Sequence, residues 1–179
     1  EPIVNIYDDN KISLINDNNK KLIIENKTIL KDFRNENIYL NNIVVENNQI
    51  YVLSKNKLLN FANDSGELIS SYDLKYQISD EDIVVSLNYI DNTFVAAFKS
   101  GLIIKFDIKG ELIWDYKSKK LLNTQLKIFN DQIIALYGDE IKSLLLQDGS
   151  LIWSEIYQDF PVYQAKGGQL SNFYNIVYF

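Results

Sequence analysis

"DIKGELIWDY", residues 107–116, and "LQDGSLIWSE", residues 146–155, carry glycine, leucine, isoleucine and tryptophan in one order, thirty-nine residues apart. They hold the only two tryptophans of the chain, Trp114 and Trp153. "NDSGELISS", residues 63–71, repeats the phrase without the indole. Gly66, Gly110 and Gly149 therefore occupy equivalent places, and eighteen residues before each stands a turn-forming residue, Asn48, Asn92 or Asp131. Three segments stack on these anchors without a gap. A period of about forty residues signals a repeat architecture rather than a single irregular domain.

Within each unit the pattern alternates with period two, as half-buried strands require. In the best-defined unit, residues 84–90 are apolar-rich and end at Asp91-Asn92. "TFVAAF", residues 93–98, follows; Lys99-Ser100-Gly101 turns the chain; Leu102, Ile104 and Phe106 alternate along a third strand. Asp107 to Gly110 makes the next turn, and Leu112, Trp114 and Tyr116 share one face of a fourth strand. Four short strands joined by tight turns form an antiparallel meander. Its repetition at 39 and 44 residues predicts an all-β fold, a β-propeller segment of four-stranded blades in an incomplete ring. An immunoglobulin-like sandwich does not repeat at one blade length, and a parallel β-helix has a much shorter period.

The ends extend the series. "NKISLINDNNKKLII", residues 10–24, fits the second half of a unit with Lys20 in the glycine place, and "LSNFYNIVYF", residues 170–179, fits the start of another. The expected division is 1–37 as the end of one blade, 38–82, 83–123 and 124–166 as full blades, and 167–179 as the start of the next. With no initiator methionine and a last apolar strand at its end, the chain reads as a processed or excised piece.

Charge and composition narrow the function. The net charge is −6 with scattered basic residues, so there is no basic stripe to track phosphates and nucleic acid is not an expected partner. No apolar run approaches the ~18 residues that cross a bilayer, so no direct membrane span is expected. Histidine and cysteine are both absent. That excludes a Ser-His-Asp or Cys-His catalytic unit and a thiolate zinc site within these residues. Asp8-Asp9 and Asp80-Glu81-Asp82 lack the spacing of a calcium loop and read as solvated turns. Gly167-Gly168 lacks the surroundings of a phosphate-binding loop. No catalytic, cofactor-binding or metal residue is assigned, and no cofactor is expected. Trp114 and Trp153 read as pegs between neighbouring blades, because a residue recurring at one place in successive blades meets the same neighbour each time. Phe160, Pro161 and Tyr163, in the connector after the last full blade, form a candidate partner-binding loop.

The phrases "GELIW" and "GSLIW", each after a strand and a polar turn, resemble the PQQ-type β-propeller repeat: an aspartate, a glycine, and a tryptophan four residues after it. Asp107, Gly110 and Trp114 match that pattern. Gly149 and Trp153 match with Leu146 in the aspartate place, and Gly66 matches with Asn63 and Ser70 replacing aspartate and tryptophan. The family has an enzymatic branch, the quinone-dependent dehydrogenases. It also has a non-enzymatic one that includes BamB-like lipoproteins, which assist assembly of outer-membrane β-barrel proteins. The degenerate, Asn- and Lys-rich repeats are more similar to the second. That resemblance implies a non-catalytic protein-binding scaffold at the periplasmic face of the outer membrane, with an assembly-machinery component as partner. A dehydrogenase fragment, or a sensor or WD-like propeller of a larger protein, is the alternative; Trp114-Asp115 is a lone WD dipeptide.

Overall fold

The computed structural model describes residues 3–7, 11–15, 40–122, 124–156, 171–173 and 176–178, with side chains described for 41–122 and 124–156. The fold is all-β. Three four-stranded antiparallel meanders follow one another along the chain. The first blade comprises β3 (Ile43–Glu46), β4 (Gln49–Ser54), β5 (Lys57–Ala62) and β6 (Leu68–Asp73). The second comprises β7 (Val84–Ile90), β8 (Thr93–Phe98), β9 (Leu102–Asp107) and β10 (Leu112–Lys117). The third comprises β11 (Lys127–Phe129), β12 (Gln132–Tyr137), β13 (Glu140–Leu145) and β14 (Leu151–Ile156). Two hairpins flank them, β1 (Ile3–Tyr7) with β2 (Lys11–Ile15), and β15 (Ser171–Phe173) with β16 (Ile176–Tyr178). A 3-10 turn at Leu40–Asn42 is the one helical element among the described residues.

Turn chemistry sets the meander. Asn47 and Asn48 have φ of 49° and 59°, and Asp91 and Asn92 have 48° and 59°. Two consecutive left-handed residues make the tight hairpin whose twist matches the strands, and Asn and Asp tolerate that region best after glycine. The turns between third and fourth strands carry Gly66, Gly110 and Gly149 at φ of 67°, 82° and 74°. A side-chain oxygen closes each of these turns. Asp107 Oδ1 accepts from the Lys109 and Glu111 amides in the second blade, while Asp148 Oδ1 accepts from Ser150 and Ser65 Oγ from Glu67 in the others. The task of Asp107 thus passes, in its neighbours, to the residue just before the glycine.

Blade stacking follows from the two faces of the middle strands. In β8, Phe94, Ala96 and Phe98 point toward the first blade and join Tyr51, Leu53, Leu58 and Phe106 in one cluster. Val95 and Ala97, between them in sequence, point toward the third blade and join Ile103, Trp114, Ile133, Ala135 and Tyr137. Both faces of a central blade are covered, so its strands read as continuous apolar runs instead of clean alternation. Rings fill the first interface: Phe94 lies 5.0 Å from Tyr51, 5.1 Å from Tyr89 and 5.5 Å from Phe106. Each such buried side chain contributes roughly 1.5–3 kcal/mol of transfer free energy.

The connectors tie one blade to the next. After β6, Leu74 donates its amide to Asn56 O and Lys75 to Gly110 O, while Leu74 and Ile78 bury in the first interface. After β10, Ser118 donates to Gly101 O and Leu122 to Lys99 O. Near the starts of the innermost strands, Gln125 Nε2 donates to Asn41 Oδ1 at 2.6 Å, joining segments 84 residues apart.

Candidate functional site

The glycine phrases meet between blades. Trp114 projects from β10, pairs across to Lys105, and is buried with 8% of its surface accessible. Its indole Nε1 donates to Leu146 O at 3.1 Å, in the turn of the third blade. The face of the ring lies on Gly149: a Cβ built there would stand 2.6 Å from Trp114 Cε3 and 2.8 Å from Cδ2. Leu146 O also accepts from Lys105 Nζ at 3.1 Å. Glycine is required twice at position 149, for its left-handed φ and for the ring above it.

The other interface closes differently. Ser70 stands where the indole would be, and a Cβ on Gly110 would instead lie 2.6 Å from Asp73 O, in the backbone of the first blade. Trp153 holds the third blade's peg position and pairs across to Ser143, but is 37% exposed. The structure thus places Gly110, Trp114 and Gly149 at blade boundaries, Asp107 and Gly66 in the turns between third and fourth strands of the second and first blades, and Trp153 at the surface. Phe160, Pro161 and Tyr163 lie outside the described residues.

A charged cluster at the second interface was not legible from spacing. Glu140, at the start of β13, is nearly buried; its Oε1 accepts from Ser154 Oγ at 2.7 Å and lies 3.3 Å from Lys142 Nζ. Its Oε2 lies 3.4 Å from Lys120 Nζ, which reaches from the connector after the second blade and bonds Asp139 Oδ1 at 2.6 Å. Lys142 Nζ donates to Tyr116 OH at 3.1 Å and sits over the rings of Tyr116 and Tyr137 at 5.7 and 5.5 Å. Burial pushes the Glu140 carboxyl up, but the hydrogen bonds from Ser154 and Lys142, the Lys142 charge and the bond from Lys120 outweigh it and hold the group below the ordinary glutamate range. Burial pushes Lys142 down, and Tyr116 and Glu140 reverse that, leaving it raised. Burial raises the Tyr137 hydroxyl, with Tyr116 and Glu140 adding to the effect.

Because the folded Glu140 is more acidic than the unfolded one, its contribution is present at neutral pH and is lost as pH falls through the folded value. Glu140→Ala strips Lys142 of its carboxylate and is expected to cost about 2 kcal/mol at pH 7 in chemical denaturation. Glu140→Gln is expected to flatten the acid limb of the stability profile below pH ~4. An unchanged acid limb in Glu140→Gln would remove the cluster as a source of acid sensitivity.

The outer strands carry a repeated surface feature. Ile69, Ile113 and Ile152, each three residues after the turn glycine, are 53%, 48% and 45% exposed on successive blades. Leu68, Leu151 and Ile156 add to this rim. Asp82 of the acidic run uses Oδ1 to accept from the Ile83 and Ser100 amides at 3.0 Å, a turn-holding role. Among the described residues no group of three or more acidic side chains is arranged to hold a metal ion, and no helix is long and apolar enough to cross a membrane.

No family model matches the chain, and no curated protein matches it. Solved structures do. BamB from Moraxella catarrhalis is similar at 18% identity and a TM-score of 0.50, over 65% of this chain and 34% of that one. The computationally designed Ika4 protein is similar at 16% identity and a TM-score of 0.56, over 72% of this chain and 77% of that one. The designed Ika8 protein is similar at 15% identity and a TM-score of 0.57, over 86% and 46%. The chain spans about a third of the BamB structure it matches. At these identities the likeness is one of fold, and the fold is a BamB-like arrangement of propeller blades.

Proposed function

We propose that the chain is part of a non-catalytic protein-binding scaffold of the BamB type, acting at the periplasmic face of the outer membrane in assembly of β-barrel proteins. The observation that carries the binding role is the rim of Ile69, Ile113 and Ile152, one exposed isoleucine per blade at one repeated position. An exposed apolar residue that recurs at the same place on each blade supports reading the rim as a protein contact. The fold likeness to BamB supports the choice of partner class. The second reading, a dehydrogenase fragment, would require an acidic base and a calcium-holding group; among the described residues no group of three or more acidic side chains is arranged to hold a metal ion.

Affinity capture from envelope extracts of a Gram-negative bacterium tests this reading. The expected result is recovery of an outer-membrane assembly component by the wild-type chain, lost when Ile69, Ile113 and Ile152 are all changed to lysine. These side chains are exposed, so that variant is expected to keep its strand signal in circular dichroism. Recovery of no assembly component rules the reading out. Dye-linked oxidation of an alcohol or sugar after adding the quinone and calcium would replace it with the dehydrogenase.

A further inference from the structure

The turn between second and third strands breaks the repeat in one blade. In the first and third blades two residues separate those strands, Lys55-Asn56 and Gly138-Asp139. The second blade has three, Lys99, Ser100 and Gly101. Both neighbouring connectors are drawn onto this longer turn. Before β7, Ile83 O accepts from the Lys99 amide at 2.8 Å, and Asp82 Oδ1 accepts from the Ser100 amide at 3.0 Å. After β10, the Leu122 amide donates to Lys99 O at 3.0 Å and the Ser118 amide to Gly101 O at 3.1 Å. Where turn and connectors meet lies a hollow of about 270 Å³, lined by Ser79, Glu81, Asp82, Lys99, Ser100 and Leu121. Features shared by successive blades serve their mutual packing. The longer turn is not shared, so packing alone does not account for it.

The floor of the hollow is fixed and its walls are open. Asp82 is held by two backbone amides, and Lys117 Nζ donates to Ser100 Oγ at 2.7 Å. The Glu81 carboxylate and the Lys99 amine stand exposed; among the described residues they pair neither with each other nor with another charge. Leu121 is 56% exposed on one connector and Ile83 43% exposed on the other. The volume falls below the ~300–1,000 Å³ of sites that enclose a whole small ligand, and it suits one side chain. Single exposed charges hold a free ion weakly, so an occupant must also cover the apolar residues. We propose that this hollow docks a peptide segment of a partner protein, which inserts one apolar side chain against Leu121 and carries a basic residue to Glu81 and an acidic residue to Lys99. The two wall charges, opposite in sign and unpaired, set the order of those flanking residues, as complementary charges set register across an interface. The rim isoleucines lie toward the other ends of the strands, beside the Gly66, Gly110 and Gly149 turns, so the two surfaces are separate.

Panning a phage-displayed library of random linear peptides on the full chain tests this. The expected result is enrichment of peptides with an apolar residue between one basic and one acidic residue, in a single order. A selected peptide, labelled for fluorescence anisotropy, is expected to bind Leu121→Asp about tenfold more weakly, the scale of one lost apolar contact. Leu121 is exposed, so this variant should keep the circular dichroism of the wild type. Exchanging the wall charges, Glu81→Lys with Lys99→Glu, is expected to weaken the same peptide several-fold and to strengthen a synthetic counterpart whose basic and acidic residues are exchanged. That reversal of preference is a signature that misfolding cannot imitate. Peptides that bind Leu121→Asp as well as the wild type overturn the proposal, and so does a charge exchange that leaves the preference between the two peptides unchanged. Enrichment no greater than on Leu121→Asp overturns it as well.

Discussion

Trp114→Ala is expected to lower the unfolding free energy by about 3–5 kcal/mol, the range for removing a large buried aromatic from a packed interior. Three losses combine. The ring leaves a void against Ile133, Tyr137 and Leu144 in the second interface. Leu146 O loses the indole donor and keeps only Lys105. Gly149 loses the ring that lies over its α-carbon. Urea denaturation followed by circular dichroism and by Trp153 emission provides the measurement. A loss below ~1 kcal/mol, the scale of an ordinary surface change, would mean that the indole does not hold the two blades together. Trp114→Phe should lie between, since it keeps part of the apolar area and gives up the hydrogen bond.

Gly101→Ala is expected to be almost as costly, by about 3 kcal/mol, for a different reason. A Cβ at this position would stand 2.2 Å from Lys120 O and 3.1 Å from Ser118 O, both backbone atoms of the connector that crosses the turn. A flexible side chain could swing aside; this connector is fixed by the Ser118 and Leu122 amide bonds to Gly101 O and Lys99 O. The φ of 88° adds strain for any residue with a Cβ. Gly138 is the internal comparison, because its φ is also positive, at 57°, and a Cβ there would meet nothing within 4 Å. Gly138→Ala should therefore cost only about 1 kcal/mol, the backbone share alone. Equal losses at the two positions in the same denaturation series would show that the connector does not press on Gly101.

Much of this architecture was legible because turns need special backbone angles. Asn48, Asn92 and the three repeated glycines announced themselves by residue type, and their spacing gave the meander. The continuous apolar run of β8 was equally readable as a strand, though not which residue faced which neighbour. What spacing could not separate was Trp114 from Trp153. Their local sequences agree, and the difference in exposure comes from what lies against them. The cluster around Glu140 was hidden for a related reason. Its members, Tyr116, Lys120, Asp139, Lys142 and Ser154, come from three segments and resemble scattered surface residues until the blades stack. The rim isoleucines were visible as repeated letters, but an apolar residue on a strand reads as core by default. Only the position of the outer strand shows that its second face meets solvent.

The alternation along β8 has a kinetic consequence. Successive side chains of Phe94 to Phe98 answer to different neighbours, so the two interfaces are secured by separate sets of atoms in one strand. A blade array of this kind opens from its ends, like a zipper with a tooth on each side of every link. Amide hydrogens of β8 and β9, locked from both sides, should be the last to exchange with deuterium. Those of β14, paired on one edge only, should be among the first. The slowest-exchanging segment then marks the middle of the stack, independently of which partner the rim holds.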